Sequence, residues 1–170
     1  MTKFKGVRRL HKNSFKRFLF LGLTLIWMAV IFLFSAQQGE QSASLSSSLT
    51  YFLISLIYPE FNHIDMSRQL EILNILHFLI RKCAHMSEYA VLWGLSYQFF
   101  KTYSASKKRC FLMALMLSFV YACTDEFHQS FIPGRGPTFF DVMIDTSGAL
   151  LFGLLYIGIE IIYKKRKSNS

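Results

Sequence analysis

Arg81, His85 and Glu88 are separated by four and three residues, a spacing that stacks them on one face of a helix. Asp141, Asp145 and Gly148 repeat that spacing, and Asp125, Glu126, His128 and Gln129 form a third polar group between the two. Lys82 and Arg135 add further cations. Two chemistries suit these residue types. Arg81, Lys82 and Arg135, with Gln129 beside them, can hold a phosphate or carboxylate, arginine through bidentate contacts. Alternatively, His85, His128 and a carboxylate such as Asp125 or Asp145 are ligand types for a divalent metal that lowers the pKa of its bound water. In that scheme Glu88 or Glu126 is the general base, Arg135 stabilises a developing anion, and Asp141 completes the acidic side of the catalytic set. No dense metal motif such as HExxH is present, so a divalent metal, the one cofactor suggested, rests on residue types alone.

Structural roles compete with these assignments. Thr138 followed three residues later by Asp141 resembles a capping box, and a carboxylate at a helix start suits the helix dipole. Arg81 and Lys82 also fit as interfacial anchors, and His85 and His128 as hydrogen-bonded core histidines. Asp125 and Glu126 are harder to explain this way. They fall at the C-terminal end of an apolar segment, where negative charge is disfavoured unless a cation offsets it. His11, His63 and His77 fall in tail or surface segments and are assigned no role.

The elements that must position these groups are read from hydropathy. Of 170 residues, 52% are hydrophobic and 18 are Phe, with mean hydropathy +0.32. A soluble domain of this size rarely conceals so much apolar side chain, whereas a bundle facing lipid needs it. Phe18–Ser35 is an apolar run of 18 residues behind a basic tail, about 27 Å long as a helix and enough to cross a hydrocarbon core. Phe34-Ser35-Ala36 is a poor cleavage site, so the run reads as a retained anchor. Residues 37–48 are polar, and Tyr51–Tyr58 is apolar but too short to span before Pro59 stops it. With Leu70, Leu73, Leu76 and Ile80 at helical spacing, this region is expected to lie along the interface. Further crossings are expected at about 83–100, 111–127 and 139–163, and Pro133-Gly134-Arg135-Gly136-Pro137 as a tight turn with Gly134 at positive φ. The expected fold is all-α: a single domain over residues 1–170, forming an integral membrane bundle of four transmembrane helices plus an interfacial segment between the first and second.

Charge placement orients this bundle. The net charge is +9, and 15 of the 19 Lys and Arg lie in the N-terminal tail, in Lys101–Arg109 or in Lys164–Lys167, each flanking an apolar run. That is the pattern of cytoplasmic loops and lipid-headgroup attraction, not of a nucleic-acid surface. It predicts a multi-pass cell-membrane protein with both termini cytoplasmic and all the polar candidates at the outer end. The three cysteines, Cys83, Cys110 and Cys123, make no disulfide framework and are expected to pack as small hydrophobes.

The polar groups also fall into blocks. Arg81-Lys82-Cys83-Ala84-His85-Met86-Ser87-Glu88-Tyr89 resembles the first signature of the VanZ-like family of bacterial membrane proteins. Asp125-Glu126-Phe127-His128-Gln129, Phe131-Ile132-Pro133-Gly134-Arg135 and Asp141-Val142-Met143-Ile144-Asp145-Thr146-Ser147-Gly148 resemble the second. Phe34-Ser35, Gln37 and Gln41-Ser42 resemble the short polar motif after the family's first helix. The resemblance covers about Phe18 to Leu155. It implies a membrane fold with a polar site, and a link to resistance against the glycopeptide teicoplanin, since the family is named for a member with that link.

Three function classes follow. The first is an accessory protein that binds a membrane lipid, a lipid-linked envelope intermediate or the antibiotic at the outer leaflet. The second is an intramembrane metal-dependent hydrolase or transferase acting on a lipid-linked substrate. A proton-coupled transporter is the third and weakest, because the ionisable groups gather at one end with no ladder towards the cytoplasm. No motif encodes an oligomeric state.

Overall fold

The computed structural model describes residues 2–36, 50–103, 106–133, 136 and 138–168. The described chain is helical: α1 (Thr2–Ser35), α2 (50–57), a 3-10 turn (Pro59–His63), α3 (Met66–Lys101), α4 (Lys107–Gln129) and α5 (Phe139–Ser168). The polar stretch 37–48 and the positive φ expected at Gly134 lie outside the described residues.

Local chemistry sets the helix ends. The Asp65 carboxylate accepts the Ser67 N–H at 3.2 Å to cap α3, and Ser106 Oγ accepts the Arg109 N–H at 3.3 Å to cap α4. Within the apolar segments, hydroxyls have no water to turn to. Thr24, Ser96 and Ser118 donate instead to the carbonyls four residues back, at 2.7, 2.8 and 3.0 Å.

Helices over Ser14–Ser35, Lys107–Gln129 and Phe139–Ser168 are long and apolar enough to cross a membrane. The helix expected at 83–100 is part of α3, which is 36 residues long and is not among these three. Its apolar half is interrupted by His85, Glu88, Ser96 and Gln98. The surface helix and the next crossing, expected as separate pieces, are one unbroken helix.

α3 packs against α5, α4 and α1, and side-chain contacts fix the directions. Lys82 meets Asp141 and Gln98 Nε2 donates to Tyr156 Oη at 3.1 Å, so α3 and α5 run parallel. Trp27 Nε1 donates to the Glu88 carbonyl at 2.9 Å and Arg17 Nη2 to the Thr102 carbonyl at 3.3 Å, so α1 runs opposite to α3. α4 runs with α1, since Tyr121 Oη donates to the Met28 carbonyl and the His128 ring lies 4.2 Å from that of Phe32. This up–down arrangement gathers Arg17, Lys101, Lys107 and Lys164 at one end and the polar candidates at the other.

The core centres on Trp93, fully buried and stacked on Tyr97 at 4.8 Å, with Phe111 edge-on at 5.3 Å and Phe152 and Tyr156 further out. α5 approaches α3 through Gly148, Ala149 and Gly153, all buried, as small residues allow in membrane bundles. A second cluster, Ile54, Phe61 and Leu73, joins α2 and the 3-10 turn to the N-terminal part of α3. It makes a helical hairpin beyond the polar end, where the interfacial segment was expected. Cys110 is buried but Cys83 is exposed, so Cys83 does not pack as an interior hydrophobe.

Candidate functional site

α3, α4 and α5 enclose a polar cleft of about 120 Å³ lined by Arg81, Lys82, His85, Glu126, Gln129, Gly136, Asp141 and Asp145. Seven of these eight were singled out by type and spacing; Gly136 was noted only as part of the turn. Arg135, expected to complete the cationic side, lies outside the described residues, next to Gly136 in the chain.

Each helix contributes one stripe. On α3, Lys82 pairs with Asp141 of α5, both side chains mostly buried. Arg81 lines the cleft and makes no ion pair among the described residues. His85 faces Glu88 one turn on, with Nδ1 3.5 Å from Oε2. On α4, the Gln129 amide donates to Asp125 Oδ2 at 3.1 Å, and both residues are buried. Buried Glu126 reaches across to α5 and accepts the Thr138 N–H at 3.2 Å.

That last contact resolves the capping question. Thr138 Oγ1 accepts the Asp141 N–H at 3.3 Å, half of a capping box. Asp141 does not complete it, because its carboxylate is turned to Lys82. Glu126 takes the Thr138 N–H instead, so a carboxylate of α4 caps α5. Glu126 thereby gains a partial positive charge at the α5 N-terminus, the offset its own position at the end of α4 lacks.

Beneath the cleft lies a layer that the sequence marked less clearly. Tyr89 is fully buried, its Oη without a hydrogen-bond partner among the described residues, close to Asp125 and Asp145. Ser35 of α1, also fully buried, lies beside Asp125. Neither Tyr89 nor Ser35 was assigned a role from the sequence. The signal for Tyr89 was available, since it follows His85 by four residues and so continues that stripe.

His128 is placed elsewhere. Its ring packs against Phe32 of α1, its buried Nδ1 has no hydrogen-bond partner among the described residues, and it does not line the cleft. The structure therefore does not bring His85, His128 and Asp125 together as a ligand set. Among the described residues, no three His, Cys, Asp or Glu side chains are placed to hold a metal ion. What converges is a pocket with both signs of charge: Arg81 without an ion pair among the described residues, Lys82 held by Asp141, and Asp145 and His85 lining the same cleft.

No curated protein and no solved structure matches the chain. The VanZ/LLP1 family model matches residues 20–163, from midway along α1 to near the end of α5. That range takes in every described residue of the cleft, and the chain belongs to the VanZ/LLP1 family.

Proposed function

We propose that the cleft binds the polar headgroup of a membrane lipid or lipid-linked envelope intermediate, and that the protein is an accessory of cell-envelope metabolism. The observation that carries this reading is Arg81, uncommitted to any described carboxylate, opposite Glu126 and Asp145 in a small polar cleft. A guanidinium takes the oxygens of a phosphate or carboxylate, while the carboxylates take hydroxyl or ammonium protons of the same headgroup. At about 120 Å³ the space suits a fragment of that size. Drug-sized ligands occupy about 300–1,000 Å³, so the lipid-linked ligand is favoured over an intact glycopeptide, and the link to teicoplanin resistance would run through the envelope.

In this reading α3 is a fourth crossing, sheltered by its neighbours and so relieved of the need to be apolar all round. The basic end faces the cytoplasm, as the positive-inside rule requires, and the cleft opens at the outer face. The metal-dependent hydrolase is the weaker reading, because its ligand set needs His128 in the cleft.

The test is the lipid that accompanies full-length protein out of the membrane, identified by mass spectrometry for wild type, Arg81→Gln and Asp145→Asn. A polyprenyl phosphate or glycerophospholipid held by wild type and lost from both folded variants supports the proposal. An unchanged lipid profile overturns it. Near-stoichiometric transition metal that disappears in both His85→Ala and His128→Ala would transfer support to the hydrolase. Unaltered glycopeptide sensitivity on deletion would remove the resistance role.

A further inference from the structure

At the opposite end of the bundle, a groove of about 530 Å³ runs between α4 and α5. Phe111 of α4 and Leu154 and Ile157 of α5 line it, and Lys107 and Lys108 stand at its basic end. Gly158 adds depth, because a Cβ there would meet nothing within 4 Å. Lys107 bridges Glu160 at 2.6 Å, and Lys164 reaches the same carboxylate at 3.3 Å. One glutamate thus offsets two lysines, while exposed Lys108 makes no ion pair among the described residues.

This combination excludes simpler occupants. A soluble anion has no use for the apolar walls, and a neutral lipid has none for the lysines. We infer that the groove binds an anionic phospholipid of the leaflet at the basic end, its phosphate on Lys108 and Lys107 and one acyl chain against Phe111, Leu154 and Ile157. Basic pockets between membrane helices select anionic headgroups in this way. The site is independent of the polar cleft, and neither assignment depends on the other.

Gly158 makes the test specific. Gly158→Leu fills open space, so it removes the groove without disturbing the packing. Delipidated full-length protein in neutral detergent is titrated with dioleoylphosphatidylglycerol or dioleoylphosphatidylcholine and followed by native mass spectrometry. One phosphatidylglycerol should bind at least about fivefold more tightly than phosphatidylcholine, about the value of one lysine near an anionic surface. Lys108→Gln, at an exposed position, should remove most of that preference. Gly158→Leu should weaken binding of both lipids at an unchanged unfolding temperature. Equal affinity for the two lipids overturns the inference, as does full phosphatidylglycerol affinity in a folded Gly158→Leu variant. If Gly158→Leu does not fold, retention of the preference in Lys108→Gln overturns it alone.

Discussion

Replacing Gly148 by alanine tests whether the approach of α5 to α3 holds the cleft together. A Cβ at Gly148 would lie 2.2 Å from the Met86 carbonyl oxygen, 2.7 Å from its Cα and 2.8 Å from its carbonyl carbon. Carbon and oxygen settle at about 3.3 Å or more, so the two backbones must part by about 1 Å. The obstructing atoms are backbone and cannot rotate aside, which places the cost near the top of the range for overpacking, about 3 kcal/mol. Helix propensity returns about 1 kcal/mol. The net loss of about 2 kcal/mol corresponds to a fall of about 4–8 °C in Tm for a chain of this length. Trp93 is buried in the core between these helices, so intrinsic fluorescence during heating in detergent follows the transition. Gly22→Ala and Gly158→Ala are the controls, because a Cβ at either meets nothing within 4 Å, and both should unfold at or slightly above wild type. A Gly148→Ala protein as stable as these controls would refute the close contact and the placement of Asp141 and Asp145 that depends on it.

Two further outcomes follow. Lys82→Met should destabilise the protein by about 1–3 kcal/mol by leaving the mostly buried Asp141 carboxylate without its cation. The exchange Lys82→Asp with Asp141→Lys should recover part of that loss, and a double-mutant coupling indistinguishable from zero would show that the pair is not formed. At the start of α3, the Ser67 hydroxyl and N–H hold the Asp65 carboxyl below its ordinary value of 3.8. A group with a lowered folded-state pKa contributes stability above its unfolded value and loses it as pH falls through the folded one. Amides 67–70 should therefore exchange faster in Asp65→Ala at neutral pH, and wild type should approach the variant once pH drops below about 3.8. Equal exchange at neutral pH would mean that Asp65 does not cap α3.

Much of the cleft was legible because its residues obey helical spacing. Arg81 and His85 on α3, and Asp141 and Asp145 on α5, project together for that reason alone. The partners of these side chains were not legible. Asp141 had two local uses, as a capping carboxylate and as an ion-pair partner, and only the parallel packing of α3 on α5 selects Lys82. His128 is of a type that suits the cleft, yet two residues past Glu126 and one before Gln129 it projects off the cleft face, on the side of α4 that meets Phe32. The pieces of α3 were misjoined for a related reason. Hydropathy senses the lipid-facing average of a helix, and α3 is covered by three neighbours, so its polar positions read as a gap where the backbone has none.

The unbroken length of α3 also sets how motion is shared along it. Met66 lies about 30 Å from Met86 and Lys82 about 6 Å, at 1.5 Å per residue. The contact of Met86 with Gly148 is the fulcrum, since there the two backbones have no side chain between them to yield. A tilt of about 5° about that point carries Met66 about 2.6 Å but Lys82 only about 0.5 Å, at the same rise per residue. The hairpin formed with α2 is therefore the long arm of a lever and the cleft its short arm. Rocking of the hairpin reaches the ion pair reduced about fivefold, and a small displacement imposed at the cleft reappears enlarged at the hairpin.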